Sequence, residues 1–237
     1  MDIRSFLYST LLTAASLTLA SCDDGRIYPS DGSKTGGSGR SVVMKGEVTG
    51  CGDFYGTDYS VVLAAFSEGN RFASVTKTVS DGSEDVTLTN ISGDAASVEL
   101  CVINRLRERI FTLATLPLTS GQTGEITFEI GKADASPFNV IETGVFATTC
   151  SQCHGATGHA AAGLDLLPEQ AYAMLVGVSS TVIPDEMRVE PGDASASTLW
   201  QALATDISDA WAFSHSNLLT FEKTGFIESW INKGAEK

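Results

Sequence analysis

Val98-Glu-Leu100-Cys101-Val102 steps between apolar and polar positions with a period of two, the spacing of a half-buried β-strand. Val86-Thr-Leu88 and Ile126-Thr-Phe128-Glu-Ile130 repeat the pattern on either side of it. Asp81-Gly82, Gly93-Asp94, Ser120-Gly121 and Thr123-Gly124 punctuate these runs, as turns do between successive short strands. Residues 42–133 therefore read as a small β-sandwich.

Cys101 inside that strand opens the question of the other cysteines, of which the chain has five in all. Cys51 precedes another strand-like stretch, and in an oxidising compartment the pair Cys51 and Cys101 reads as a disulfide. Closing that loop contributes roughly 4 kcal/mol on the chain-entropy view. The alternative is two separately buried thiols. Phe54, Tyr55 and Tyr59 nearby suit either the core or a sugar-binding face.

Upstream of the strands lies an address segment. Phe6 to Ala20 is apolar yet too short to span a bilayer, and it runs into small residues, as a secretory signal does. Leu19-Ala20-Ser21-Cys22 resembles a bacterial lipobox, whose cysteine is acylated and becomes the mature N-terminus. Residues 1–21 are thus expected to be a lipoprotein signal peptide and Cys22 the lipid anchor. The segment from Asp23 to Ser41 holds five glycines and four serines, so residues 22–41 form a flexible tether with a reach of about 25 Å. The expected location is outside the cytoplasm, on a bacterial membrane, facing the periplasm or the cell surface.

Beyond about Gly131 the reading turns helical. Ser136-Pro137 is a helix start, with serine as N-cap and proline at the first position. A helix running on from there carries Cys150-Ser-Gln-Cys153-His154-Gly155, which puts Cys150, Cys153 and His154 at i, i+3 and i+4 on one face. Two thiols and an imidazole so placed suit haem c, the thiols adding to the two vinyl groups and His154 reaching the iron. A thioredoxin-like site wants a βαβ setting, and a structural zinc site wants a second ligand pair; the sequence offers neither after Cys153. One cysteine for lipid, two for a disulfide and two for haem account for all five.

Gly163-Leu-Asp-Leu-Leu167, Tyr172-Ala-Met-Leu-Val-Gly177, Arg188-Val-Glu-Pro-Gly-Asp193, Ser197-Thr-Leu-Trp-Gln201 and Ile227-Glu-Ser-Trp-Ile231 with Gly234-Ala235 follow in order. Together with the haem motif this set resembles the planctomycete-type cytochrome c modules over residues 140–235. The resemblance implies two domains, the N-terminal all-β sandwich and a C-terminal all-α class I-like cytochrome c domain over residues 134–237, with one covalently attached haem. Helices are expected over Pro168–Val176, Asp193–Leu203 and Thr220–Lys233. In the last, Phe226, Ile227, Trp230 and Ile231 form a stripe at helical spacing that packs on the helix bearing Cys150.

The resembling modules take their distal methionine from a Met-Pro pair, yet the segment from Ala204 to Leu219 contains no methionine. His215 is the strong ligand in it, so the expected metal ligands are His154 and His215. An open iron, or ligation by Met187 or Met174, is the alternative; His159 lies too near His154 to reach the opposite face.

The chain carries 15 Lys and Arg against 29 Asp and Glu, a net charge of −14, which excludes nucleic acid as a partner because phosphate binding needs a basic footprint. From Asp134 onward 13 acidic residues face 4 basic ones, so a redox partner protein is expected to be basic. The function expected from all this is a membrane-anchored monohaem c-type cytochrome relaying single electrons, an electron carrier rather than an enzyme. A haem sensor or peroxidase-like enzyme with an open iron, or a glycan-binding module whose haem serves a partner oxidase, are the alternatives.

Overall fold

Strand β1 (Arg40–Thr49) runs the full length of the folded chain's first layer. The computed structural model of the protein describes residues 39–155, 160–207 and 214–237; the signal segment, Cys22, residues 23–38, His159 and Trp211 lie outside them. Six further strands follow: β2 (Tyr59–Ser67), β3 (Val75–Thr78), β4 (Val86–Ile91), β5 (Ala95–Asn104), β6 (Arg109–Pro117) and β7 (Gly124–Asp134). They form a three-stranded sheet in the order β4-β1-β7 and a four-stranded sheet in the order β3-β2-β5-β6.

The period of two decides which side chains meet. On β5, Val98, Leu100 and Val102 join Val42, Met44, Leu88 and Phe128 of the other sheet in one buried cluster. Cys101 and Ile103, one position out of step, fall with Val62, Ala64 and Phe66 in a second cluster, on the opposite face of their sheet. Glu99 is also on that outer face, nearly buried, where Arg109 pairs with it at 2.6 Å and Thr112 donates to it at 2.9 Å.

Strands β1 and β7 are parallel neighbours, from Arg40 beside Gly124 to Thr49 beside Asp134. Ten residues of strand carry the chain about 30 Å. Arg40 donates to the carbonyls of Ser92 and Ala95 at one end, and at the other the Ala135 amide donates to Thr49 just before the first helix. The entry of the chain into the sheets and the start of the helical part are therefore at opposite ends of β1.

That first helix is continuous from Pro137 to His154. It begins as α1 (Pro137–Ile141), widens into a π-helical stretch (Glu142–Cys150) and closes as α2 (Ser151–His154). Ser136 holds the N-cap position and Pro137 the first turn, but the Ser136 side chain makes no cap bond. Asp134 does the local work instead, accepting from the Ser136 amide at 2.8 Å and, through its carbonyl, from Asn139 at 2.6 Å.

The expected separate, all-α class I-like cytochrome c domain is corrected by the rest of the chain. Sheets dominate the described residues, and among these beyond α2 only α3 (Ala171–Leu175), α4 (Thr198–Thr205) and α5 (Phe221–Asn232) are α-helical. Pro168–Val176 shrinks because Glu169 adopts φ +73° and only Ala171 onward is helical. Asp193–Leu203 starts five residues late, since the Asp193 carboxylate accepts from Ser195 and the Ala196 amide in a turn. Between α3 and α4 the chain is held by extended bridges, Val176 with Val189, Ser179 with Met187 and Met187 with Ser197. Helix α5 fits its expected range, and Thr220 caps it by accepting from the Lys223 amide.

Nor does the helical part keep a core of its own. The described residues make one compact unit, and the buried cluster between the sheets continues through Phe138, Val145, Phe146, Phe226, Trp230 and Ile231. The stripe on α5 divides its work. Trp230 stacks near Phe138 at 5.6 Å, whereas Phe226 turns to Tyr59 at 4.8 Å and Phe111 at 5.1 Å. Gly144 lets the helix approach β6 this closely, because a Cβ there would lie 2.6 Å from the Phe111 ring.

The same packing bears on two sequence expectations. The expected Cys51–Cys101 disulfide is absent and both residues are free thiols. Cys51 belongs to the cluster between the sheets and Cys101 to the cluster outside them, so a β-sheet separates the two sulfurs; the alternative of two buried thiols holds. Of the three aromatics considered for a sugar face, Phe54 is buried and Tyr59 packs on Phe226. Tyr55 alone of the three is well exposed. Among the described residues no helix is long and apolar enough to cross a membrane.

Candidate functional site

Cys150 ends the π-helical stretch and Cys153 and His154 occupy α2, so all three stand at the C-terminal end of one helix. Cys150 is half-buried and Cys153 exposed. Burial, and after it the neighbouring Cys153, push the Cys150 thiol up to about 11. That holds it as a thiol at neutral pH, so it is a poor bare-metal thiolate.

Gly155, next to His154, lets another stretch of chain pack close to the helix end. A Cβ at Gly155 would lie 2.8 Å from the Ser151 carbonyl oxygen and 3.0 Å from Leu167. Beside it the Leu166 amide donates to the His154 carbonyl at 2.5 Å. The glycine that follows the Cys-x-x-Cys-His run thus has a local steric reason.

The His154 ring is oriented by backbone. Its Nδ1 lies 3.1 Å from the Ala161 carbonyl oxygen, which can only accept, so Nδ1 carries the proton and Nε2 keeps its lone pair. Burial holds the imidazole below its usual pKa, and the charges of His215 and Arg188 push the same way against the backbone hydrogen bonds. A neutral ring protonated at Nδ1 is the metal-ligating form.

Facing it is His215. The two ring centroids lie 6.2 Å apart at an interplanar angle of 42°. A metal–imidazole bond of about 2 Å on each side of one ion sets two ring centroids roughly 6 Å apart, so the spacing fits a metal between the rings. The methionines considered as rivals are placed otherwise: Met187 Sδ lies 4.0 Å from the Ser179 hydroxyl, and Met174 belongs to α3, its carbonyl accepting from Arg188 at 2.8 Å.

Among the described residues no three His, Cys, Asp or Glu side chains converge as a bare-ion site requires. Haem asks less of the protein, since the porphyrin fills four iron positions and the chain supplies the axial donors. Two neighbouring imidazoles beside two thiols are the residue types that demand calls for. On α4, Trp200 leaves its Nε1–H buried without an acceptor among the described residues.

His215 owes its place to a residue that periodicity and motif spacing did not single out. Asp206, the residue after α4, accepts from the His215 amide at 2.5 Å and the Ser216 amide at 3.0 Å through Oδ1. Its Oδ2 accepts from the Ser216 hydroxyl at 2.9 Å and from the Ser214 hydroxyl. These bonds, the Ser214 hydroxyl first, hold the Asp206 carboxyl down to about 2. An aspartate followed by Ser-x-Ser several residues later carries no periodic signal, and only the closed loop brings them together.

Comparison with protein-family models, with curated proteins and with solved structures gives no match to the chain.

Proposed function

We propose that the protein is a membrane-anchored monohaem c-type cytochrome, a lipoprotein that relays single electrons outside the cytoplasm. The observation that carries this reading is the approach of the His154 and His215 rings to 6.2 Å at the end of the helix that bears Cys150 and Cys153. Bound there, haem c supplies a one-electron iron couple. Cys150 and Cys153 would hold it by two thioethers, and His154 and His215 would supply imidazole donors to its iron. Ala161 fixes the His154 tautomer, and Leu166 and Gly155 fix the ring's backbone.

Two further features support a relay. The helical part that bears the site begins at the end of β1 remote from Arg40, a strand length of about 30 Å from where the sheets begin. The excess of 13 acidic over 4 basic residues from Asp134 onward favours a basic redox partner, with an association that weakens as salt rises. The ordered residues shared with planctomycete-type modules support the haem reading at the level of the motif. His215 opposite His154 disfavours an open iron, the premise of a sensor or peroxidase, and the burial of Phe54 disfavours a glycan-binding face.

The experiment is a spectrum and a denaturing gel. Wild type is expected to keep its haem through acid-acetone extraction, and Cys150→Ser with Cys153→Ser to be colourless. Haem stain on the double variant would refute covalent attachment. With two imidazoles the ferric form is low-spin and lacks the near-infrared sulfur-to-iron band, and its potential lies below that of a His/Met site; the band's presence would reassign the ligand to a methionine.

A further inference from the structure

We propose that Asp206 is the positioning residue of the distal ligand, a carboxylate clasp that holds His215 opposite His154. The inference rests on the haem reading above and adds what keeps an imidazole on a loop in ligating position.

A histidine on a surface loop pays a large entropic cost to stay in one place. His215 is in no helix or strand, so its position must come from tertiary bonds. Asp206 supplies four of them, to the two consecutive amides of His215 and Ser216 and to the hydroxyls of Ser214 and Ser216. The carboxylate itself is fixed to the core by α4, whose Ala202 and Leu203 are buried. The Ser214 hydroxyl is held in turn by Asn217 Nδ2 at 2.8 Å, and the Leu218 amide closes onto the His215 carbonyl at 3.1 Å. One side chain thus ties the segment of residues 214–218 to the end of a packed helix.

The backbone of Asp206 agrees with this role. It sits at φ +53°, ψ 107°, a region L residues rarely adopt and one that persists only where surrounding bonds over-determine it. Glycine would relieve the strain there. Aspartate provides what glycine lacks, two oxygens aimed at the His215 segment.

The test uses full-length, haem-loaded protein and three variants. Asp206→Gly keeps the backbone conformation and removes the carboxylate. Asp206→Asn keeps an oxygen for the two amides, and its NH2 can donate to the two hydroxyls. His215→Ala removes the ligand. Orienting partners outside the ligands themselves are worth roughly 10–100-fold in metal affinity. D206G is therefore expected to show a high-spin ferric fraction, and carbon monoxide should half-saturate the ferrous form at roughly 10–100-fold lower concentration than in wild type. D206N should restore the low-spin spectrum. A D206G protein as low-spin and as slow to take carbon monoxide as wild type, while H215A is high-spin, overturns the clasp and leaves the haem reading intact. A wild type without haem, or one whose spectrum H215A does not alter, overturns that reading and the clasp with it. If D206G does not fold, Ser214→Ala with Ser216→Ala removes the hydroxyl half of the clasp. A partial shift to high spin is then expected, and an unchanged spectrum refutes the proposal.

Discussion

Replacing Phe226 by alanine removes the side chain that joins the helical part to the sheets. Phe226 is 2% exposed, with ring centroids at 4.8 Å from Tyr59, 5.1 Å from Phe111 and 6.0 Å from Phe54. Deleting a buried phenylalanine ring costs about 3–5 kcal/mol, lost transfer energy plus the cavity. The upper half of that range applies here, because the two near-perpendicular ring pairs each add about 0.5–1.5 kcal/mol beyond area. At about 2–4 °C per kcal/mol for a chain of this size, the melting temperature should fall by about 8–20 °C. Two probes separate the parts of the molecule. All three tryptophans lie at or beyond Trp200, so their fluorescence follows the helical part, while far-UV circular dichroism follows mainly the strands. With one shared core both signals should move together in a single transition. A fluorescence transition that drops while the strand signal melts at the wild-type temperature would show two independent cores and refute the reasoning.

Gly144→Ala should cost about 1–3 kcal/mol by overpacking. The new methyl would meet a Phe111 ring already held by Phe226 and by Lys223, whose ammonium lies 5.1 Å above it; an unchanged urea midpoint would contradict that close approach. Alkylation of the unfolded, unreduced, haem-loaded chain should add two labels, at Cys51 and Cys101, whereas a disulfide would give none. Stability should fall as pH rises from about 9 to about 12. Burial first, then the Asp81 charge, hold the folded Cys51 thiol up to about 12, and burial and Asp58 do the same for Tyr59, against 9.0 and 10.0 in the unfolded chain. The unfolded state therefore loses its protons first and is favoured through that window, and urea midpoints that stay level from pH 8 to 11 would count against it. Cys22→Ala should release the protein from membranes and abolish palmitate labelling; equal labelling of both forms would rule out the lipid anchor.

The alternation in Val86–Leu88, Val98–Val102 and Ile126–Ile130 is visible in sequence because a strand's side chains change face at every residue, and all three runs are strands. The same rule already held the answer for the cysteines. Cys101 is out of step with Val98, Leu100 and Val102, which places it on the outer face of its sheet, but the compartment argument for a disulfide does not use register. Spacing also marked the haem-like motif, since i, i+3 and i+4 on a helix share a face without help from the rest of the fold.

Sequence by itself determined the local matters: which runs alternate, where Pro137 starts a helix, where Thr220 caps another, and which residue types could bind iron. Tertiary structure decided what those elements do together. Phe226 joins the sheet aromatics and Trp230 joins Phe138 although both lie on one helical stripe, because a stripe specifies burial and leaves open which partner buries it. That division turned an expected separate all-α domain into an extension of the sheet core. Asp206 and His215 are nine positions apart with no period between them. They meet because hydrogen bonds are short-ranged and loop closure is set by the packing at both ends, which local sequence does not encode.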